Sequence, residues 1–237
     1  MLRSLLFWIT LPIITVLLAS TVCVLFLWDG ALLTCSKIWG QILCLAAGVT
    51  VKRGNRAPLP TGPAVYIINH SSDWDIFALA MNLPPRTRGV AKRELGWIPF
   101  FGWALRLSGM ILIDRAHHAR AVRQMEEAAK KVHDGRPIFM APEGTRSKTG
   151  ELLPFKKGAF VLAIRAQVPI VPIVIKGAYE VQSRHSFRIN PGVVTMEFLE
   201  PIPTAGLTLD DRDALIAKVR GIYLHELGPL ALARPAS

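Results

Sequence analysis

The segment Asn69-His70-Ser71-Ser72-Asp73-Trp74-Asp75 places a histidine and a carboxylate five positions apart. An imidazole with one ring nitrogen held by a carboxylate can take a proton on the other, and so act as a general base. In a continuous helix, residues five apart point about 140° away from each other, so His70 and Asp75 meet only if the chain turns between them. The apolar run 64–68 reads as a strand, and Ser72 and Asp73 are good helix caps. Asp75 then falls in a first helical turn, from which it reaches back to His70. Ser71 and Ser72 lack any elbow-like glycine pattern, so the expected nucleophile is a hydroxyl of a bound molecule rather than a protein side chain. The plain alternative is a capped helix beside a surface histidine.

A second polar cluster, Glu143-Gly144-Thr145-Arg146, follows the apolar run 138–141 in the same way. Its backbone amides, hydroxyl and guanidinium suit a phosphate monoester. A turn held by a structural Arg–Glu pair would use the same residues. Lys92, at the end of another expected strand, adds a point charge for the same anion.

The elements that must position these groups alternate as an α/β domain does. Strands are expected at 64–68, 88–91, 110–113, 138–141 and 193–199, with helices at 75–82, 116–133, a short one ending at Gln167, and 210–227. The helix 116–133 carries Val122, Met125, Ala129 and Val132 on one stripe, with Gly135 placed to end it. In the β-rich run 168–175, Pro169 and Pro172 cannot both sit in a central ladder, so the strand is predicted to begin at or after Pro172. His117, His118 and His133 have no metal-ligand spacing and read as solvated or capping residues. The aromatic segment 96–103 fits equally the headgroup region of a membrane, the wall of a groove for an apolar chain, and ordinary core.

Charge and hydropathy divide the chain. The net charge is +11 and 51% of residues are hydrophobic. Residues 1–51 hold only Arg3, Asp29 and Lys37 as charged groups, so the body is basic and the leader apolar. A basic body is drawn to nucleic acid, to anionic bilayers or to phosphorylated small molecules. No basic stripe interleaved with stacking aromatics occurs, which argues against nucleic acid. Cys23, Cys35 and Cys44 are odd in number and confined to the leader, so they do not form a disulfide framework.

Residues 5–28 carry no charge and would form a helix of about 36 Å, enough for a hydrocarbon core of roughly 30 Å. Pro12 would kink that helix, and Trp8 and Trp28 lie near its ends as interfacial tryptophans do. A cleaved signal peptide is the rival reading, but the apolar run continues past any plausible cleavage site. The second apolar stretch, 38–51, is shorter than a span and is expected to lie in the interface or to form a re-entrant helix. Lys37, Lys52, Arg53 and Arg56 follow the first stretch while only Arg3 precedes it, which places the body on the cytoplasmic face, at the inner membrane if the source is bacterial. The organisation expected is a membrane-anchoring segment at 1–54, a Pro- and Gly-rich linker at 55–63, a catalytic domain at 64–228 and a frayed tail at 229–237.

These residues resemble the glycerolipid acyltransferases that make phosphatidic acid from 1-acylglycerol-3-phosphate. Asn69, His70 and Asp75 match the family's Asn-His-x4-Asp motif, and Gly109 with Asp114 and Arg115 matches its second motif. Residues 142–147 match Pro-Glu-Gly-Thr-Arg-Ser, and 168–172 match the Val-Pro-Ile-x-Pro motif. Lys92 and the segment 97–102 are similar to the stretch between the first two motifs.

The resemblance implies a mixed central sheet flanked by helices, preceded by a membrane helix or helical hairpin. It implies that His70 is the base and Asp75 orients it. Arg146, Lys92, Glu143, Gly144 and Thr145 would then form the phosphate and glycerol site, with Arg115 assisting. The partners implied are the lipid bilayer, a lysophospholipid acceptor, and acyl-CoA or acyl carrier protein as donor co-substrate, with no metal or bound cofactor. Acyl transfer to another lysolipid, such as a lyso-aminolipid, and a silent phospholipid-binding protein are the alternatives.

Overall fold

Short branched apolar runs, too brief for buried helices, pair into one sheet. The computed structural model describes residues 1–28, 30–114, 117–133 and 135–228. Two apolar helices, α1 (Leu2–Val24) and α2 (Gly30–Ala47), lead into β1 (Val49–Asn55) and β2 (Val65–Ile68). There follow α3 (Trp74–Asn82), β3 (Arg88–Lys92), α4 (Phe101–Leu107), β4 (Ile111–Ile113), α5 (His118–His133) and β5 (Ile138–Met140). The remainder comprises α6 (Gly158–Ala166), β6 (Ile170–Lys176), the single turn α7 (Ala178–Val181), β7 (Gly192–Phe198) and α8 (Arg212–Leu227).

The seven strands lie in the order β1-β7-β6-β2-β5-β3-β4. Strands β6, β2, β5, β3 and β4 are parallel, and β7 joins β6 antiparallel with β1 parallel to it at the edge. The mixed sheet flanked by helices is therefore the one expected. All four residues of β2 are buried, because its two faces meet two different layers. Val65 and Ile67 pack toward α5, α6 and α8, whereas Tyr66 and Ile68 pack toward α2 and α3. Central placement fixes the strand that ends at Asn69 and His70. Tyr223 of α8 adds a polar tie, since its buried hydroxyl accepts from the Ile173 amide at 3.0 Å and lies 2.6 Å from the Ile67 carbonyl.

Three sequence expectations are corrected. The stretch 38–51 is not one element: its first part is the second half of α2, and Val49 begins β1, which pairs with β7 in register from Val49 opposite Gly192. The segment 55–63 accordingly joins two strands of one sheet rather than a leader to a separate domain, so the sheet starts ahead of the linker. Strand β6 begins at Ile170 and runs through Pro172. Its carbonyl accepts from the Leu199 amide at 2.9 Å, so the ring nitrogen faces the same side, beyond the last ladder pair, Ile173 opposite Phe198. Pairing resumes beyond it at Ile170 opposite Ile202, one residue out of register, so the missing N–H falls at an irregular rung where a proline is tolerated.

The apolar leader is a helical hairpin packed on the body. Phe7 is buried against Trp74 and Phe77, with ring centroids 5.4 and 5.8 Å away. The Ser4 hydroxyl accepts from the Ile189 amide, and the Trp8 indole donates to the Phe187 carbonyl at 2.7 Å. Farther along α1, Trp39 of α2 donates to Thr15 at 2.8 Å, and Ala19 and Val22 are buried. The opposite side of α1 leaves Leu2, Leu5, Leu6, Ile9, Ile13, Val16 and Leu17 exposed. Beside it, the segment 96–103 is at the surface rather than in the core, with Trp97 61% and Trp103 51% exposed. By length and composition both α1 and α2 suffice to cross a membrane. In α5, Ala128 and Val132 face the core, while the side chain of Val122 and the tail 229–237 lie outside the described residues.

Candidate active site

The parallel strands deliver their C-terminal ends to one edge of the sheet, where open α/β sheets bind ligands. Strand β3 pairs with β5 only through Arg88 and Gly89 and then turns to β4. Where β3 leaves β5, a cleft of about 1000 Å³ opens, lined by His70, Asp73, Lys92, Gly144, Thr145 and Arg146 among others.

Asn69, which follows β2 directly, explains why the loop leaves the strand in a fixed direction. Its side-chain amide donates to the Ile175 carbonyl and accepts from the Ile175 amide, both at 2.8 Å. The side chain thus imitates one more rung of the ladder to β6. The next residue, His70, is partly buried, and its Nδ1 lies 2.9 Å from Asp75 Oδ2. Asp75 is fully buried in the first turn of α3. The same Oδ2 accepts from the backbone amides of Ser71 at 2.8 Å and Ser72 at 2.9 Å. The expected turn between base and carboxylate is formed, and the carboxylate itself closes it. With Nδ1 committed to Asp75, Nε2 is the nitrogen left to exchange a proton with a molecule in the cleft.

Glu143 does not contact the cleft, and this corrects its expected place in a phosphate site. It is buried, with Oε1 accepting from the His70 amide at 2.6 Å and Oε2 from the Leu153 amide at 2.8 Å. Both oxygens serve the backbone, so the residue positions His70 rather than touching an anion. Burial pushes its carboxyl up to about 7, against the opposing pull of those two amides. The following turn is fixed by Gly144 at φ 73°, in the left-handed region that favours glycine, and by the Ser147 amide donating to the His70 carbonyl at 2.9 Å. The two motifs are therefore stitched together through backbone on both sides of His70.

Lys92, Gly144, Thr145 and Arg146 line the same cleft as His70. Lys92 also lies 3.3 Å from Glu94. Arg146 pairs with Asp73, and its carbonyl accepts from Arg184 at 2.9 Å. Arg115 lies outside the described residues, while its neighbour Asp114 is paired with Arg93 at 2.8 Å and with His117 at 3.1 Å. Sequence reading took Asp73 only as a helix cap and passed over Lys156, Lys157, Arg165 and Arg184, all of which line the cleft. Only the ambient basicity of the chain hinted at the lysines and arginines. An apolar cavity of about 170 Å³ between α1, α2 and α3 shares Ile76, Phe101, Leu105, Met110 and Phe139 with the cleft wall.

A histidine backed by a buried carboxylate, set at a sheet's C-terminal edge beside a cation-lined cleft, is an arrangement able to take a proton from a bound hydroxyl. Residues 50–176 match the family model described as Acyltransferase, and the chain belongs to that family. It is 41% identical over 174 residues to 1-acyl-sn-glycerol-3-phosphate acyltransferase alpha of Homo sapiens, covering 73% of this chain and 61% of that one. To the 1-acyl-sn-glycerol-3-phosphate acyltransferase of Limnanthes douglasii it is 38% identical over 165 residues, 69% of this chain and 59% of the relative. The corresponding values for the Saccharomyces cerevisiae protein of the same name are 36% over 188 residues, 78% and 62%. The match thus spans about three fifths of the length of these relatives. The crystal structure of the 1-acyl-sn-glycerophosphate acyltransferase from Thermotoga maritima shares the fold, with a TM-score of 0.82 at 23% identity over 99% of this chain and 97% of that one.

Proposed function

We propose that this protein transfers a fatty acyl group from an acyl thioester to the sn-2 hydroxyl of 1-acylglycerol-3-phosphate, yielding phosphatidic acid. The observation that carries this reading is the His70–Asp75 pair at 2.9 Å on the wall of a cleft that also presents Lys92 and Arg146. The names of the relatives supply the substrate class. In the reaction, the acceptor oxygen attacks the thioester carbonyl carbon while His70 Nε2 takes its proton. The tetrahedral oxyanion then collapses, the C–S bond breaks, and the leaving thiolate receives the proton from His70. Asp75 holds the ring and offsets the imidazolium charge that appears between the two steps. Arg146 and Lys92, with the Gly144–Thr145 turn, bind the acceptor's phosphate. Arg115, which closes the family's second motif, is proposed to assist.

The donor is acyl-CoA or acyl carrier protein, and its apolar chain is proposed to run toward the apolar cavity that shares a wall with the cleft. The exposed apolar side of α1 and the tryptophans of 96–103 are proposed to face the acyl region of the bilayer. Because α1 is bonded to the body near residues 4 and 8 and packed again near Ala19 and Val22, we read the hairpin as embedded from one side. The basic body is proposed to lie on the cytoplasmic face, whose anionic lipids attract it.

The test is to incubate the membrane-bound protein with a panel of lysolipids and both donor types, and to identify products by mass. Phosphatidic acid is the expected main product. Equal acylation of lysolipids that lack a phosphate monoester would contradict the reading.

A further inference from the structure

Asp73 stands in the cleft for a reason that neither motif supplies. It is the one acidic side chain among the described lining residues, in a cleft also lined by Lys92, Arg146, Lys156, Lys157, Arg165 and Arg184. It occupies the N-cap position of α3, where an aspartate ordinarily binds the helix's free amides, yet its side chain makes no capping bond. Asp75 takes the loop amides of Ser71 and Ser72 instead, and the Asp73 carboxylate turns to Arg146. The side chain of Asp73 is 53% exposed and that of Arg146 28% exposed. An ion pair this open to water is weak, so a stronger anion can displace it.

We propose that Asp73 is an acceptor-selecting residue: it holds Arg146 until a dianionic phosphate monoester displaces it. A phosphate monoester near neutral pH carries up to two charges and offers three oxygens to a guanidinium, so it outcompetes a carboxylate. A phosphodiester headgroup carries one charge and gains little over Asp73. Discrimination then comes from the resident competitor as well as from Arg146. Rotation of Asp73 leaves the His70–Asp75 pair intact, since no bond joins it to either residue's side chain. The inference rests on the proposed role of Arg146 in phosphate binding.

The experiment compares wild type with Asp73→Asn and Asp73→Ser, both of which retain capping side chains. It measures KM for 1-acylglycerol-3-phosphate, inhibition by inorganic phosphate, and relative kcat/KM for a lysophosphodiester acceptor. Expected are a two- to fivefold lower KM, a similar tightening of phosphate inhibition, and a narrowed preference over the lysophosphodiester. A KM that is unchanged or raised in both variants overturns the proposal. So does an Asp73→Asn effect that persists in an Arg146→Ala background. Unaltered acceptor kinetics in Arg146→Ala alone would remove the phosphate-binding reading itself. Weakened binding in Arg146→Ala without any gain in Asp73→Asn would remove only this inference.

Discussion

At the scale of single residues, Glu143 and Asp75 are two buried carboxylates with different duties. Asp75 bonds the imidazole and two loop amides, whereas Glu143 bonds the backbone of His70 and Leu153. Glu143→Gln keeps one acceptor oxygen but sets an amide N–H against a backbone N–H. It is expected to lower kcat by about tenfold with little change in acceptor KM, as suits a residue acting through His70. A change mainly in KM would return Glu143 to the substrate. The carboxyl also marks stability. Its pKa, near 4.5 unfolded, is raised to about 7 in the fold. Its contribution is therefore complete below pH 4.5 and lost as pH rises through 7, by roughly 3 kcal/mol. Melting curves of wild type relative to Glu143→Gln between pH 4.5 and 8 should show that loss, and a flat difference would argue against it. Spacing suggested the His70–Asp75 contact but left a capped helix beside a surface histidine open, and the structure forms the contact. The duty of Glu143 was not readable from spacing, because its bonding partners lie 73 and 10 residues away.

Among the elements, the leader and the edge of the sheet show what periodicity hides. Helix α1 is apolar on all sides, so its sequence does not reveal which face packs on the body; Phe7, Ala19 and Val22 do. Strand β1 looked like a continuation of the apolar leader because Val49 and Val51 extend its run, yet pairing with β7 draws it into the sheet. Pro172 misled for the opposite reason, since a strand tolerates a proline where its neighbour's pairing shifts register. The central strands and α3 were legible because their burial follows local patterns. If the outer side of α1 meets lipid, Ile13→Glu with Leu17→Glu should weaken binding to anionic vesicles at least tenfold, given about 1.5–3 kcal/mol for each large aliphatic side chain buried. Binding measured by vesicle co-sedimentation that stays at the wild-type level would contradict a lipid-facing α1.

For the whole molecule, the sheet topology joins functions that are far apart in sequence. β2 leads to His70, β5 leads into the turn with Arg146, and β3 ends at Lys92, so three parallel strands converge on one cleft. The basic body and apolar hairpin accord with the proposed substrate, a phosphorylated amphiphile drawn from a bilayer. General-base catalysis contributes about 10²–10⁴-fold to such a step. The most direct test of the account is the rate of phosphatidic acid formation from 1-acylglycerol-3-phosphate and an acyl thioester by wild type and by His70→Ala, normalised to folded protein. The account predicts a fall in kcat of about a thousandfold with acceptor KM largely retained. A His70→Ala protein that forms phosphatidic acid at a near-normal rate would contradict it.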